Sequence, residues 1–154
     1  MIKKGHNVTG LVRSEERAEQ VSTLGVTPVM GNLDVLTKAV QDADAVVNAA
    51  NAEDRASVET LVAALAGSRR TLIHTSGSSI VADLSEGKGG GTIYDEESQF
   101  TPLPGRAPRV AVNQLVIDGK HQNVRTIVIA PNILAPGKTF GPTFILMIWL
   151  ICIY

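Results

Sequence analysis

Strand-length apolar runs alternate with helix-length amphipathic segments along most of this 154-residue chain. That alternation restricts the fold more than any other property of the sequence. A strand, a helix and a second strand close as a parallel pair with a right-handed crossover, and repetition of the unit builds a parallel sheet. The order read along the chain is β-α-β-α-β-α-β-loop-α-β. Strands are expected at 7–12 (NVTGLV), 27–30, 45–49, 71–74 and 124–130 (VRTIVIA). Ser14 suits the N-cap of a helix over 15–24, with Glu15 and Glu16 at its positive end and Gly25 as its stop. Ala18, Val21 and Leu24 are spaced to face a core. A turn at 31–34 leads to a short helix over 35–41, with Leu36, Ala39 and Val40 inward. The segment 52–66 is the best helix, with Val58, Leu61, Val62 and Leu65 on one stripe and Gly67 as its stop. Residues 109–118 form a fourth helix, with Val112, Leu115 and Val116 inward and Gly119 at its end. The intervening stretch 81–108 is rich in Gly and Pro, including a low-complexity patch at 87–91, and reads as a long loop of the kind that serves as a lid.

Composition narrows the function classes. Net charge is −1 with no block of like charge, so nothing electrostatic points to nucleic acid. The single cysteine, Cys152, excludes an internal disulfide framework and fits a reducing, cytoplasmic setting. His6, His74 and His121 lie far apart with no cysteine near them, against a zinc site of ordinary spacing. Residues 144–154 are almost wholly apolar and uncharged. The run is shorter than the roughly 20 residues of a membrane span. It suits a buried strand, a docking segment or an exposed tail capable of self-association.

Residues 71–79, TLIHTSGSS, join a strand to a turn of hydroxyls and glycine. Such a strand places polar groups at the carboxyl edge of a sheet, where open α/β sheets bind ligands.

The segments GHNVTGLVRSEERAEQ, TPVMGNLD, ADAVVNAAN, TLIHTSGSS and VRTIVIAPNILAPG occur in the order and spacing of the short-chain dehydrogenase/reductase superfamily. They resemble its extended and atypical NAD(P)-dependent epimerase/dehydratase-like branch over about residues 3–137. The fold implied is a Rossmann-like, doubly wound parallel α/β sheet lacking the first strand and its glycine-rich turn, since 1–5 resembles the tail of the first helix. The strands at 7–12 and 45–49 would then pair directly or leave a gap between them. A partial NAD(P)-binding domain is expected over 1–137, and 138–154 is unlike the family. The combined differences at both ends suggest a truncated or alternatively spliced product.

The resemblance implies a dinucleotide partner, NADP before NAD, because Arg13 and Ser14 follow the second family strand and no acid stands there for a free ribose 2′-hydroxyl. The plainer alternative is a surface arginine and an ordinary N-cap. Asn32 and Leu33 match the turn beside the adenine. Asn48, Ala49 and Ala50 match the small residues that let the cofactor near the backbone. Thr75 lines the pocket, and Pro131 and Ile133 match the segment beside the nicotinamide. Without the pyrophosphate turn the cofactor would be held weakly. At the reacting end, Gly77 stands at the position of the family's serine or threonine, leaving Ser78 as the candidate hydroxyl. Arg109 and Asn113 stand where the family has its Tyr and Lys, and are expected on a solvated helix face. Neither Tyr94 nor Tyr154 has a lysine four residues on. Gly137-Lys138-Thr139 ends like a phosphate loop but lacks the glycine five residues earlier. The expected function is therefore an NADP-binding protein related to oxidoreductases and epimerases of small carbonyl or sugar-like substrates, impaired in catalysis. The alternatives are a nucleotide-sensing regulatory protein and an inactive fragment acting through protein association.

Overall fold

The computed structural model describes residues 1–84, 92–95 and 97–131, together with the backbone of 151–153. Six strands and four α-helices occur among them: β1 (Val8–Val12), α1 (Glu15–Thr23), β2 (Thr27–Met30), α2 (Leu33–Ala39), β3 (Ala45–Asn48), α3 (Arg55–Leu65), β4 (Thr71–Thr75), α4 (Ala107–Asp118), β5 (Arg125–Ile129) and β6 (Ile151–Ile153). The sheet order is β2-β1-β6-β3-β4-β5. β1 and β2 are parallel, as are β3 and β4, and β4 and β5. This is the α/β, Rossmann-like plan expected from the alternation. Direct pairing of β1 with β3, or a gap between them, is not what occurs. β6 lies between them and runs antiparallel to both, with Thr9 and Val46 on either side of Cys152.

Three helices pack over one face. α2 touches α3 and α3 touches α4. Val58, Leu61, Val62 and Leu65 from α3 meet Val46 and Leu72 from the sheet, with Leu36, Val40, Val112 and Val116 completing the core. Each of the inward stripes on these helices comes from residues spaced three and four apart, as an amphipathic helix requires. The opposite face is thinly covered. Among the described residues Val8 and Val26 form a small buried cluster there, with Val21 and Val47 packed beside them. α1 buries no residue fully, and Leu24 is 51% exposed instead of facing a core. The helix ends at Thr23, Leu24 becomes its cap, and Gly25 turns the chain at φ 80°, so Val26 fills the space beside Val8.

Local chemistry explains the other boundaries. α3 begins at Arg55, three residues later than the periodicity suggests, because Asp54 accepts a capping bond from the Ser57 amide at 3.1 Å. α2 begins earlier than expected, with Asn32 at its N-cap position. Gly119 does not supply a left-handed stop. α4 tightens there into a 3-10 turn, Gly119–Gln122, and Asn123 makes the left-handed turn at φ 60°. Gly119 is needed for close approach instead, since a Cβ would lie 3.1 Å from Thr126 Cγ2.

Within 81–108, the described residues form no α-helix or strand before α4 begins at Ala107, only 3-10 turns at Ser78–Val81 and Pro104–Arg106. The glycine patch at 87–91, Ile133 and the 137–139 sequence lie outside the described residues. No described helix is long and apolar enough to cross a membrane.

Candidate functional site

Parallel pairing brings the carboxyl ends of β1 to β5 to one edge of the sheet, and the turns leaving them build two cavities there. The first, of about 210 Å³, lies beyond β1, β2 and β3. Arg13 comes from the end of β1, Asn32 and Leu33 from the turn after β2, and Asn48 and Ala50 from the end of β3. These five expected cofactor residues, dispersed over 38 positions of sequence, meet in one space. Leu11, Leu36 and Leu61 give it apolar walls. Gly31 makes the turn after β2 possible: its φ is 152°, and a Cβ would fall 2.4 Å from Val35 Cγ2.

Other expected residues do not line this cavity. Ser14 is exposed, and its Oγ accepts from the Arg17 amide at 3.3 Å, so it serves as the helix cap. Ala49 and Thr75 are half-buried and are not among its walls. Asn51, the last residue of the same matched motif, is among them, as are Asp54 and Ser57, which were not foreseen. The sequence signal for them was Asp54 followed by Ser57, a capping spacing hidden inside an apparently longer helix.

A buried polar chain supports the wall formed by β3. Asn48 Oδ1 accepts from the Ala50 amide at 3.2 Å, and Asn48 Nδ2 lies 3.2 Å from His74 Nδ1. An amide nitrogen can only donate, so His74 Nδ1 accepts and its proton sits on Nε2. Burial pushes the His74 pKa below the ordinary histidine value, partly opposed by the backbone of Ala52.

The second cavity, of about 670 Å³, lies beyond β4 and is lined by Ser76, Gly77, Ser78, Ser79, Arg109 and Pro131, with Val81 and Ala82. Ser78 opens the 3-10 turn, and its amide donates to the Pro131 carbonyl at 3.3 Å. Pro131 therefore belongs to this cavity and not to the first. Arg109 Nη1 donates to Ser79 Oγ at 3.0 Å, and Nη2 pairs with Glu53 Oε1 at 2.9 Å. Gly77 gives the guanidinium room, since a Cβ there would lie 3.2 Å from Nη1.

The expectation of a solvated face at Arg109 and Asn113 is overturned. The Arg109 side chain is 22% exposed and Asn113 is 6% exposed. α4 packs its apolar stripe against β5, α3 and β4, and positions 109, 112, 113 and 116 share that side of the helix. Arg109 Nε, Asn113 Oδ1 and Ser76 Oγ are buried without hydrogen-bond partners among the described residues. Buried polar atoms are ordinarily satisfied, so such a group marks a place built for something besides packing. Glu53 was missed altogether: it lies 56 residues from Arg109, and no local pattern announces the pair. Among the described residues no group of His, Cys, Asp and Glu could hold a metal ion.

Residues 1–92 match the NAD(P)H-binding family. The chain belongs to that family. It is 30% identical over 169 aligned residues to the 4-hydroxy-2-methyl-3-oxo-4-farnesyl-3,4-dihydroquinoline-1-oxide ketoreductase of Stigmatella aurantiaca, covering 94% of this chain and 48% of that protein. It is 31% identical over 138 residues to an uncharacterized protein of Schizosaccharomyces pombe, covering 80% of this chain and 45% of that one. The chain thus spans about half the length of the curated relatives it matches. It is an NAD(P)H-binding, oxidoreductase-like domain.

Proposed function

We propose that this chain binds NADP with its adenosine end in the first cavity, and that its reacting end is impaired for carbonyl reduction. The convergence of Arg13, Asn32, Leu33, Asn48 and Ala50 on one cavity carries the reading. Leu33 and Leu36 offer apolar surface to a base, and Asn32 offers it a hydrogen bond. Arg13 supplies a fixed positive charge for a ribose 2′-phosphate. The small Ala50 lets a ligand approach the backbone. When bound, the cofactor supplies the hydride. The plan follows the extended and atypical branch of the short-chain dehydrogenase/reductase superfamily.

Among the described residues, the reacting end holds none of the groups that reduction by this plan needs. A reduced carbonyl must take a proton from a group able to release one near neutral pH. Arg109 stands at the tyrosine's position and does not release its proton in that range. Asn113, at the lysine's position, carries no charge. The cavity's hydroxyls are those of Ser76, Ser78 and Ser79, and no His, Asp or Glu is among the described residues that line it.

A sensing role is the second reading. The loop that follows Ala50 carries Glu53, so a nucleotide seated against Ala50 and Asn51 bears on the Glu53–Arg109 pair. Fluorescence titration of the full chain with NADPH tests the main reading. Micromolar binding weakened by Arg13→Ala is expected, and no binding at millimolar cofactor would overturn it. Steady NADPH oxidation with a small ketone would refute the impairment.

A further inference from the structure

Arg109 is more than a lost tyrosine. A guanidinium offers a carboxylate two parallel N–H donors along one side, Nε and Nη2. Glu53 takes Nη2 through Oε1 alone, at 2.9 Å, and Nε has no partner. Half of the fork is therefore unused. Ser79 steadies the opposite side by accepting from Nη1, and Gly77 has no Cβ to crowd that nitrogen. Ser76 lines the same cavity with a hydroxyl that has no partner, and Val81, Ala82 and Pro131 add apolar surface. Glu53 itself is 37% exposed and sits on the loop between β3 and α3, so it can leave without disturbing an element of the sheet.

We propose that the second cavity is a receptor for a small carboxylate with an apolar tail, which takes both donors of Arg109 in place of Glu53. A planar carboxylate matches the fork edge to edge, and the tail lies along Val81, Ala82 and Pro131. Glu53 holds the arginine in place until the ligand arrives. The inference takes from the proposed function only that this cavity is the substrate side of the site, so ligand binding is measured without cofactor.

The test is a calorimetric titration of the full chain with phenylacetate, with its neutral amide, phenylacetamide, and with inorganic phosphate. Phenylacetate is expected to bind in preference to both. Glu53→Gln removes the competing charge and should tighten phenylacetate about tenfold, the scale of one charge-assisted hydrogen bond. Arg109→Lys keeps the charge, loses the fork, and should weaken it by about tenfold. Equal binding of phenylacetamide, unchanged affinity in Arg109→Lys, or no phenylacetate binding in Glu53→Gln would overturn the proposal. Tighter binding of phosphate than of phenylacetate would overturn the carboxylate assignment. NADPH titration of the same samples separates the two readings: loss of cofactor binding with retained phenylacetate binding sinks the proposed function alone, and the reverse sinks this inference alone.

Discussion

The two cavities share one sheet edge but not one chemistry. Beyond β1, β2 and β3, the walls hold a cation, an asparagine turn, leucines and small residues, which suit the nucleotide proposed for this cavity. Beyond β4, the cavity wall carries Arg109, which is latched to Glu53. Binding and reaction are separable in such a fold because different strands supply them. Under the proposed function, the nucleotide half is kept and the reacting half is free for another role.

That contrast can be broken by mutation, beginning where the largest effect is expected. Leu61 is 1% exposed and serves both the core and the first cavity. Leu61→Ala should cost about 2–5 kcal/mol in urea unfolding, the usual range for emptying a buried leucine position. A loss below 1 kcal/mol would mean that the nucleotide half is not tied to the core. Arg13→Ala should weaken NADPH by about tenfold or more and leave NADH little changed, as measured by competitive titration. Equal losses for both cofactors would remove the 2′-phosphate assignment.

The His74–Asn48 contact supports the wall shared with the nucleotide cavity, and its pH response has a definite sign. The folded pKa is depressed below the unfolded value of about 6.5. Above pH 6.5 both states are neutral and the contribution is complete. As pH falls from about 6.5 toward the folded pKa, the unfolded chain takes up a proton that the folded chain resists, and stability declines by at most about 1.4 kcal/mol per pH unit. His74→Gln should flatten that slope in unfolding curves taken across the range. Asp54→Ala removes the α3 cap and should cost about 1 kcal/mol. Glu53→Gln should cost less than about 1 kcal/mol, because a partly exposed ion pair adds little to folding. A larger loss would show that the latch is a structural brace and not a displaceable occupant.

Much of the architecture was legible because its signals are local. The α3 stripe of Val58, Leu61, Val62 and Leu65 is a helical period, and Ser14 before two glutamates is an N-terminal signature. Arg13, Asn32 and Asn48 could be placed together because parallel strands bring their carboxyl ends to one edge. What stayed hidden depends on distance or on competition. Leu24 has the spacing of a core residue, but a left-handed glycine one position later diverts the chain before it can be covered. Asp54 reads as helix interior until its side chain is seen to satisfy the Ser57 amide. Arg109 and Asn113 are polar residues that sequence alone assigns to solvent, and the docking of α4 onto the sheet and α3 withdraws them from it. Glu53 had no signal, since its partner is supplied by another helix.

The position of β6 bears on how the chain reaches this state. Within the sheet, the β1–β2 pair meets the β3–β4–β5 group only through residues 151–153, and Val8 pairs with Ile153 across 145 positions of sequence. Each half can assemble early from nearby contacts, but the seam between them closes last and at the entropic cost of a very long loop. Until then two inner strand edges stand unpaired in the middle of what will become one sheet, open to any strand that arrives first. A strand from a neighbouring chain would compete with residues 151–153 for the same two edges.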